Sequence, residues 1–447
     1  MPRRRRYGSS MHRRPATLAT ATLLAASPLT AAAEDHTSYT PTGNSVIFVH
    51  PDGGSAATWT AARALWVGPD SDLHWDRLPH VAVYKGHLAN SLTASSNGGA
   101  TAHAAGLIPA GVGTPSGTKP RLPGYDAFGR SEGQVPKADL SDDQGRRLLL
   151  GQAAVDAGLP VGLVQTGVAS EPGTAVFVVD HEIRWDHEGI ADKLIHSGAQ
   201  VLFSGGERYF RPADAEGVHG PGAREDGRDL VAEAESLGYT VIFTRDELLW
   251  LPDGTQKVLG LFSHDATFNA VPDETLVEMG KELFEPDAPT VAEMTGAALR
   301  LLGRDASGQP RPFFLVVEEE GSDNFGNNNN AAGTLESLRR ADLAIGVAES
   351  FVVNRPDTLL ITAADSDGGG LRMVGLPTGP LRGEAPATLE PTARNGAPQD
   401  GPDGTGSAPF LAAPDAQGRR MPFAVVWSHL DDVSGGVVVR AADAVGV

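Results

Sequence analysis

The chain has 447 residues and no cysteine, so disulfides and thiolate zinc sites are excluded, while the length allows one large α/β domain or two ordinary ones. Its 36 Lys and Arg face 56 Asp and Glu, a formal charge of −20, which argues against a nucleic-acid or anionic-membrane surface. An anionic substrate would therefore need a strong local positive field, from metal ions or from a placed arginine.

In chain order, Arg3 to Arg6, Arg13 and Arg14 precede an apolar run from Leu18 to Leu29, which ends at Ala31-Ala32-Ala33. A basic segment, an apolar core too short to span a bilayer and a small-residue cleavage site read as an export signal peptide over residues 1–33. The paired arginines leave a twin-arginine route open, and Met11 is an alternative start. Removing this segment takes away six arginines and no acid, leaving 30 basic against 56 acidic residues, about −26. No later stretch is long and apolar enough to be a membrane span, so an exported protein, periplasmic or extracellular, is expected.

Asn44 to Val49 reads as a buried strand ending at His50-Pro51-Asp52-Gly53-Gly54, followed by a helix from Ala57 to Val67. A short strand at His80–Tyr84 leads into Leu92–Gly106, a small-residue turn carrying Ser95 and Ser96 before a helix from about Gly99. A serine there is first of all an N-cap. The same geometry aims backbone N–H groups and the positive helix end at any anion beside the hydroxyl, which suits nucleophilic attack on a phosphate if metal-binding carboxylates lie near.

Residues 111–141 read as a long surface loop, and Asp142 or Asp143 as the cap of a helix through Ala157. Strands are expected at Val161–Gln165, Val201–Phe203, Tyr239–Thr244, Val258–Phe262, Phe313–Glu318 and Thr358–Ala364, with helices at Ile190–His196 and from Thr334 to about Val353. Thr290 and Glu293 form a capping-box pair opening a helix with Met294, Ala298, Leu301 and Leu302 on one face. Residues 375–421, rich in Pro and Gly, read as an insertion over the site or a surface loop. Strands return at Phe423–Trp427 and Val437–Arg440. Short apolar strands alternating with helices give an α/β fold with a mostly parallel central sheet and helices on both faces.

Acids follow three of these strands. Asp52 comes after VIFV, Glu318-Glu319-Glu320 and Asp323 after FFLVV, and Asp365-Ser366-Asp367 after LLITAA. One acid in such a place is ordinarily a turn former or a cap. Three, each beside glycines that let backbone and ligand approach closely, point to a site at the carboxyl edge of the sheet. Carboxylates crowded together repel, and hard oxygen ligands suit divalent metals.

From about Asn44 to the C-terminus the chain resembles the alkaline phosphatase family, which implies a three-layer sandwich and a single catalytic domain over 34–447. VIFVHPDGG matches the family's Asp-Gly metal-ligand motif at Asp52. Aligning Ala100 to Ala102 with the family's Ala-Thr-Ala puts the nucleophile on Ser96, with Ser95 in place of an aspartate. Glu171 and, thirteen residues later, Arg184 match an acid and a phosphate-binding arginine, the hydroxyl position between them falling on Gly173 with Thr174 next door. Glu318 and Asp323 reproduce the spacing of the family's Val-Glu-Gly and following Asp, and Ala332-Gly333-Thr334 matches the helix beyond.

The departures are at histidines. The family's zinc ligands fall here on Asn327 and on Ser366, next to Asp365, and its last histidine on Ser428, or on His429 after a one-residue slip. Oxygen ligands should weaken a preference for zinc and favour magnesium, calcium or manganese. The resemblance implies one cation held by Asp52, Asp365 and Ser366, a second near Asp323, Asn327 and His429, and a third, magnesium, near Glu318, Glu171 and Thr174. It further implies hydrolysis of small-molecule phosphate monoesters through a phosphoserine on Ser96, with Arg184 clamping two phosphoryl oxygens. A phosphodiester or sulfate-ester hydrolase on the same scaffold, a secreted binding protein without catalysis, and a homodimer stay open.

Overall fold

The computed structural model describes residues 44–89, 91–109, 130–131, 138–139, 148–181, 183–379 and 383–443. The proposed leader, Asp142 and Asp143 lie outside these residues. Nine strands form the main sheet: β1 (Ser45–Pro51), β2 (His80–Val83), β3 (Val161–Val168), β4 (Val201–Gly205), β5 (Thr240–Ile242), β6 (Val258–Leu261), β7 (Phe314–Glu319), β8 (Thr358–Thr362) and β9 (Val438–Ala442). Their order across the sheet is β2-β9-β8-β1-β7-β3-β4-β6-β5. From β8 to β5 every neighbouring pair is parallel, while β9 runs antiparallel to both β8 and β2.

Alternation along the central strands sends side chains to two separate cores. Ile47, Val49, Leu315 and Val317 pack on one face with Trp59 of α1 (Ala56–Trp66) and Leu335 and Leu338 of a later helix. Phe48, Phe314 and Val316 pack on the other, with Ala100 and Ala104 of α2 (Ser96–Ala105) and Ile190 and Leu194 of α3 (His187–His196). Burial on both faces is why these strands read as nearly continuous apolar runs. The result is the expected mostly parallel α/β sandwich. The Thr290–Glu293 capping box opens α4 (Val291–Leu302): the Thr290 hydroxyl accepts from the Glu293 N–H at 3.3 Å, and the Glu293 carboxylate accepts from the Thr290 N–H at 2.9 Å. The face carrying Met294, Ala298, Leu301 and Leu302 is buried.

Several elements differ from the sequence expectations. Helix α2 begins at Ser96 rather than near Gly99, because the Ser95 hydroxyl caps it by accepting from the Gly98 N–H at 3.4 Å. The helix before β3 covers only Leu150–Asp156, so it does not run back to a cap at 142 or 143. Inside the expected 111–141 loop, Arg130–Ser131 pairs with Ala138–Asp139. Segment 375–421 is not simply a loop. Gln399–Gly401, Gly404–Thr405 and Phe410–Leu411 join Arg372–Gly375 and Pro422–Val426 in a second, five-stranded sheet, whose described pairings are all antiparallel. Its two- and three-residue strands are too short to show a period. Phe410 stacked on Phe423 at 5.1 Å and the Trp427 indole N–H donated to Asp400 at 2.6 Å tie it together. Among the described residues no helix is long and apolar enough to cross a membrane.

Candidate metal centre

Four neighbouring strands, β8, β1, β7 and β3, end at the same edge of the sheet, and each delivers an acid there: Asp365, Asp52, Glu318 with Glu320, and Glu171. The parallel arrangement makes these strand ends converge. Helix α5 (Gly321–Gly326) follows β7 at once and carries Asp323. Asp52, Glu318, Glu320, Asp323 and Asp365 are at most 4 % exposed. Asp52, Glu318 and Glu320 each place an oxygen within 4.8 Å of the others, and His50, Asp52 and Asp365 form a second such group. His50 lies opposite Glu318 in the register of β1 against β7.

The serine helix abuts this edge. A Cβ added at Gly99 would stand 2.9 Å from Asp365 Oδ2, so the first turn of α2 lies directly against that carboxylate. Ser96, one turn before Gly99, shares its face. Gly173 is closer still: a Cβ there would fall 1.6 Å from Glu318 Oε1. Gly173→Ala must therefore displace the Glu318 carboxylate, and we expect cation affinity to fall by roughly 10- to 100-fold. Calorimetric titration of Mg²⁺ into the metal-free variant, with a thermal melt to show that it is folded, checks this.

Burial and mutual repulsion shape the charges. Desolvation first, then Asp365, Asp323 and Glu320, push Asp52 well above the usual carboxylate range. Glu320 is raised in the same way by burial and by Glu171 and Glu318, and Asp323 by burial and Asp432. Burial also works against ionised Asp365, but the His50 ring beside it outweighs this and holds it below its ordinary value. Burial likewise opposes a charge on His50, yet Asp365 and Glu318 push it up to about 9. Both oxygens of Glu318 and of Asp365, Asp323 Oδ1 and the Ser366 hydroxyl are buried without a hydrogen-bond partner among the described residues. Buried polar atoms left in this state are costly. A divalent cation answers both the missing partners and the repulsion, so the donor set fits one.

Arg184, Thr174 and Asn327 each have hydrogen-bond partners of their own. Arg184 donates to Glu171 Oε2 at 2.9 Å, and its Nε is buried without a partner among the described residues. Burial opposes its charge, but Glu171, Glu320, Asp52 and Asp432 raise its pKa. The Thr174 hydroxyl accepts from the Gln165 amide at 2.8 Å. Asn327 donates from Nδ2 to Asp323 at 2.8 Å and to Asp432 at 3.0 Å, while its Oδ1 accepts from the Gly369 N–H at 2.8 Å.

His429 departs from the expectation. Its side chain is 57 % exposed, with Nδ1 3.4 Å from Asp431. The Ser428 and His429 N–H groups both donate to the Gly369 carbonyl, which fixes the chain here, and the Ser428 hydroxyl donates to the Gly370 carbonyl at 3.0 Å. The side chain beside Asp323 and Asn327 is instead Asp432, raised by burial and by Asp365. Sequence reading did not propose Asp432 as a ligand. It passed over His50 altogether, although two-residue spacing puts His50 and Asp52 on one side of the strand.

Fold and site define an α/β protein with a carboxylate-lined sheet edge, a candidate cation site, beside a serine-capped helix. Residues 43–392 match the family described as alkaline phosphatase, and the chain belongs to that family. It is 28 % identical over 360 residues to the membrane-bound alkaline phosphatase of Bombyx mori, covering 72 % of this chain and 60 % of that protein. Among solved structures it is similar to the Thermus thermophilus alkaline phosphatase, with a TM-score of 0.58, 26 % identity, and 76 % and 62 % of the two chains covered. The alkaline phosphatase of the Antarctic bacterium TAB5 shares the fold at 17 % identity and a TM-score of 0.62, over 90 % and 92 % of the chains. The chain thus spans about three-fifths of the length of the Bombyx mori and Thermus thermophilus relatives.

Proposed function

We propose that this protein hydrolyses phosphate monoesters through a covalent phosphoserine on Ser96. The observation that carries the reading is the set of buried, partnerless carboxylate oxygens on adjacent strand ends, with the first turn of the serine helix against Asp365. Divalent cations bound by Asp52 and Asp365, by Asp323 and Asp432, whose carboxylates Asn327 holds through Nδ2, and by Glu318, Glu320 and Glu171 would supply the positive charge that favours the Ser96 alkoxide and the leaving oxygen. Ser96 Oγ attacks phosphorus, the ester P–O bond breaks, and the alcohol leaves with a proton. Water then attacks the phosphorus of the phosphoserine, the Oγ–P bond breaks, inorganic phosphate leaves, and a proton from the water restores the Ser96 hydroxyl. The N-terminal end of α2 presents the positive end of the helix dipole to the transferring group. Arg184, held by Glu171, has an Nε–H without a partner among the described residues to donate to a phosphoryl oxygen, and so offsets the acidic surroundings.

The same reading assigns export to the arginine-led segment at residues 1–33. The decisive experiment is a panel of one aryl group presented as phosphate monoester, phosphodiester and sulfate, assayed with each divalent metal in turn. The highest kcat/KM is expected for the monoester. A higher value for the diester or the sulfate would transfer the site to that ester class, and no turnover with any metal would support a binding role.

A further inference from the structure

We propose that His50 binds metal directly through Nε2, making the Asp52–Asp365 pocket a mixed nitrogen and oxygen site, chemically distinct from the all-oxygen group of Asp323 and Asp432. The inference rests on the reading that this edge of the sheet holds divalent cations. His50 is 1 % exposed, and neither ring nitrogen has a hydrogen-bond partner among the described residues. A tetrahedral site with ligands about 2.0–2.1 Å from the metal spaces neighbouring donors by roughly 3.3–3.4 Å. Nε2 stands 3.4 Å from Asp52 Oδ1 and 3.6 Å from Asp365 Oδ1, close to that spacing. The other nitrogen, Nδ1, lies 3.3 Å from Glu318 Oε1. A carboxylate on the far side of the ring makes the metal-facing nitrogen more basic, the usual setting of a metal-bound histidine.

Position on the strand explains how the ring arrives. Residues 50 and 52 alternate to the same side of β1, and their parallel neighbour β7 brings Glu318 alongside His50. The ring of His103 packs edge-on at 5.4 Å between centroids and closes the apolar side. A nitrogen in the donor set shifts that pocket towards zinc, whereas the all-oxygen group suits magnesium, calcium or manganese.

The test uses the full-length protein carrying His196→Ala, which removes the surface group of Asp192, His196 and Glu233. With bound Mn²⁺, pulsed EPR is expected to show nitrogen coupling that changes on ¹⁵N-histidine labelling. His50→Gln should abolish the coupling and weaken Zn²⁺ binding at one site by at least about 100-fold, while the all-oxygen group keeps its affinity. Bound manganese without histidine coupling, or coupling that survives in His50→Gln, overturns the assignment and leaves the proposed activity standing. A protein that binds no divalent metal at all overturns both. Should His50→Gln fail to fold, His103→Gln decides: coupling that persists there supports His50, and coupling that disappears overturns it.

Discussion

Replacing Ser96 by alanine is expected to lower kcat by on the order of 10⁴-fold or more, because it removes the hydroxyl on which the proposed covalent intermediate forms. The neighbouring change should behave quite differently. The Ser95 hydroxyl is occupied in capping α2. Ser95→Ala should therefore cost about 1 kcal/mol of stability and leave kcat within a fewfold. Acid quenching during turnover, followed by mass spectrometry of the peptide spanning 92–106, should find phosphate on Ser96 in the wild type and none in Ser96→Ala. Loss of turnover in Ser95→Ala with retention in Ser96→Ala would move the nucleophile by one residue.

Removing the metals should destabilise the protein, and more so as pH rises. Burial pushes Glu319 up to about 7, His50 rises to about 9, and Asp52, Glu320, Asp323 and Asp432 are all raised. Each of these groups binds its proton more tightly folded than unfolded. Its stabilising contribution is complete below the unfolded pKa and is lost as pH climbs through the folded one. Asp365, held low, has the opposite sign: its contribution is present above its unfolded pKa and is lost only as pH falls through its lowered folded value. Between about pH 5 and pH 9 the raised groups therefore dominate, and the metal-free protein should melt at progressively lower temperature. Added cation should reverse this, by about 2.7 kcal/mol per site at a hundredfold excess over Kd. Thermal melts of chelated and metal-loaded protein across that range check the prediction. A chelated protein that grows more stable towards pH 9 would contradict the proposed crowding of carboxylates.

Much of the scaffold was legible because its signals are local. The Thr290–Glu293 box lies within one helical turn, and the apolar runs of β1 and β7 identify themselves by content. The second sheet was not legible, since Gly404–Thr405 and Phe410–Leu411 are defined by their pairing partners rather than by any pattern of their own. The same applies within the site. Asp52, Glu318 and Asp365 announce themselves as acids after strands, whereas Asp432 is one of two adjacent acids in an irregular segment.

The residues alone determined the long strands of the main sheet, that acids and glycines follow them, and that a hydroxyl-bearing turn leads into a helix near residues 95–99, since period and capping act within a few residues. Tertiary structure decided which of these meet. The strand order β8-β1-β7-β3 brings positions 365, 52, 318 and 171 to one edge. The turn held at Gly369 leaves His429 in solvent, while Asp432 lies against Asp323 and Asn327. Convergence of distant segments depends on sheet order and loop direction, which arise only when the whole core packs.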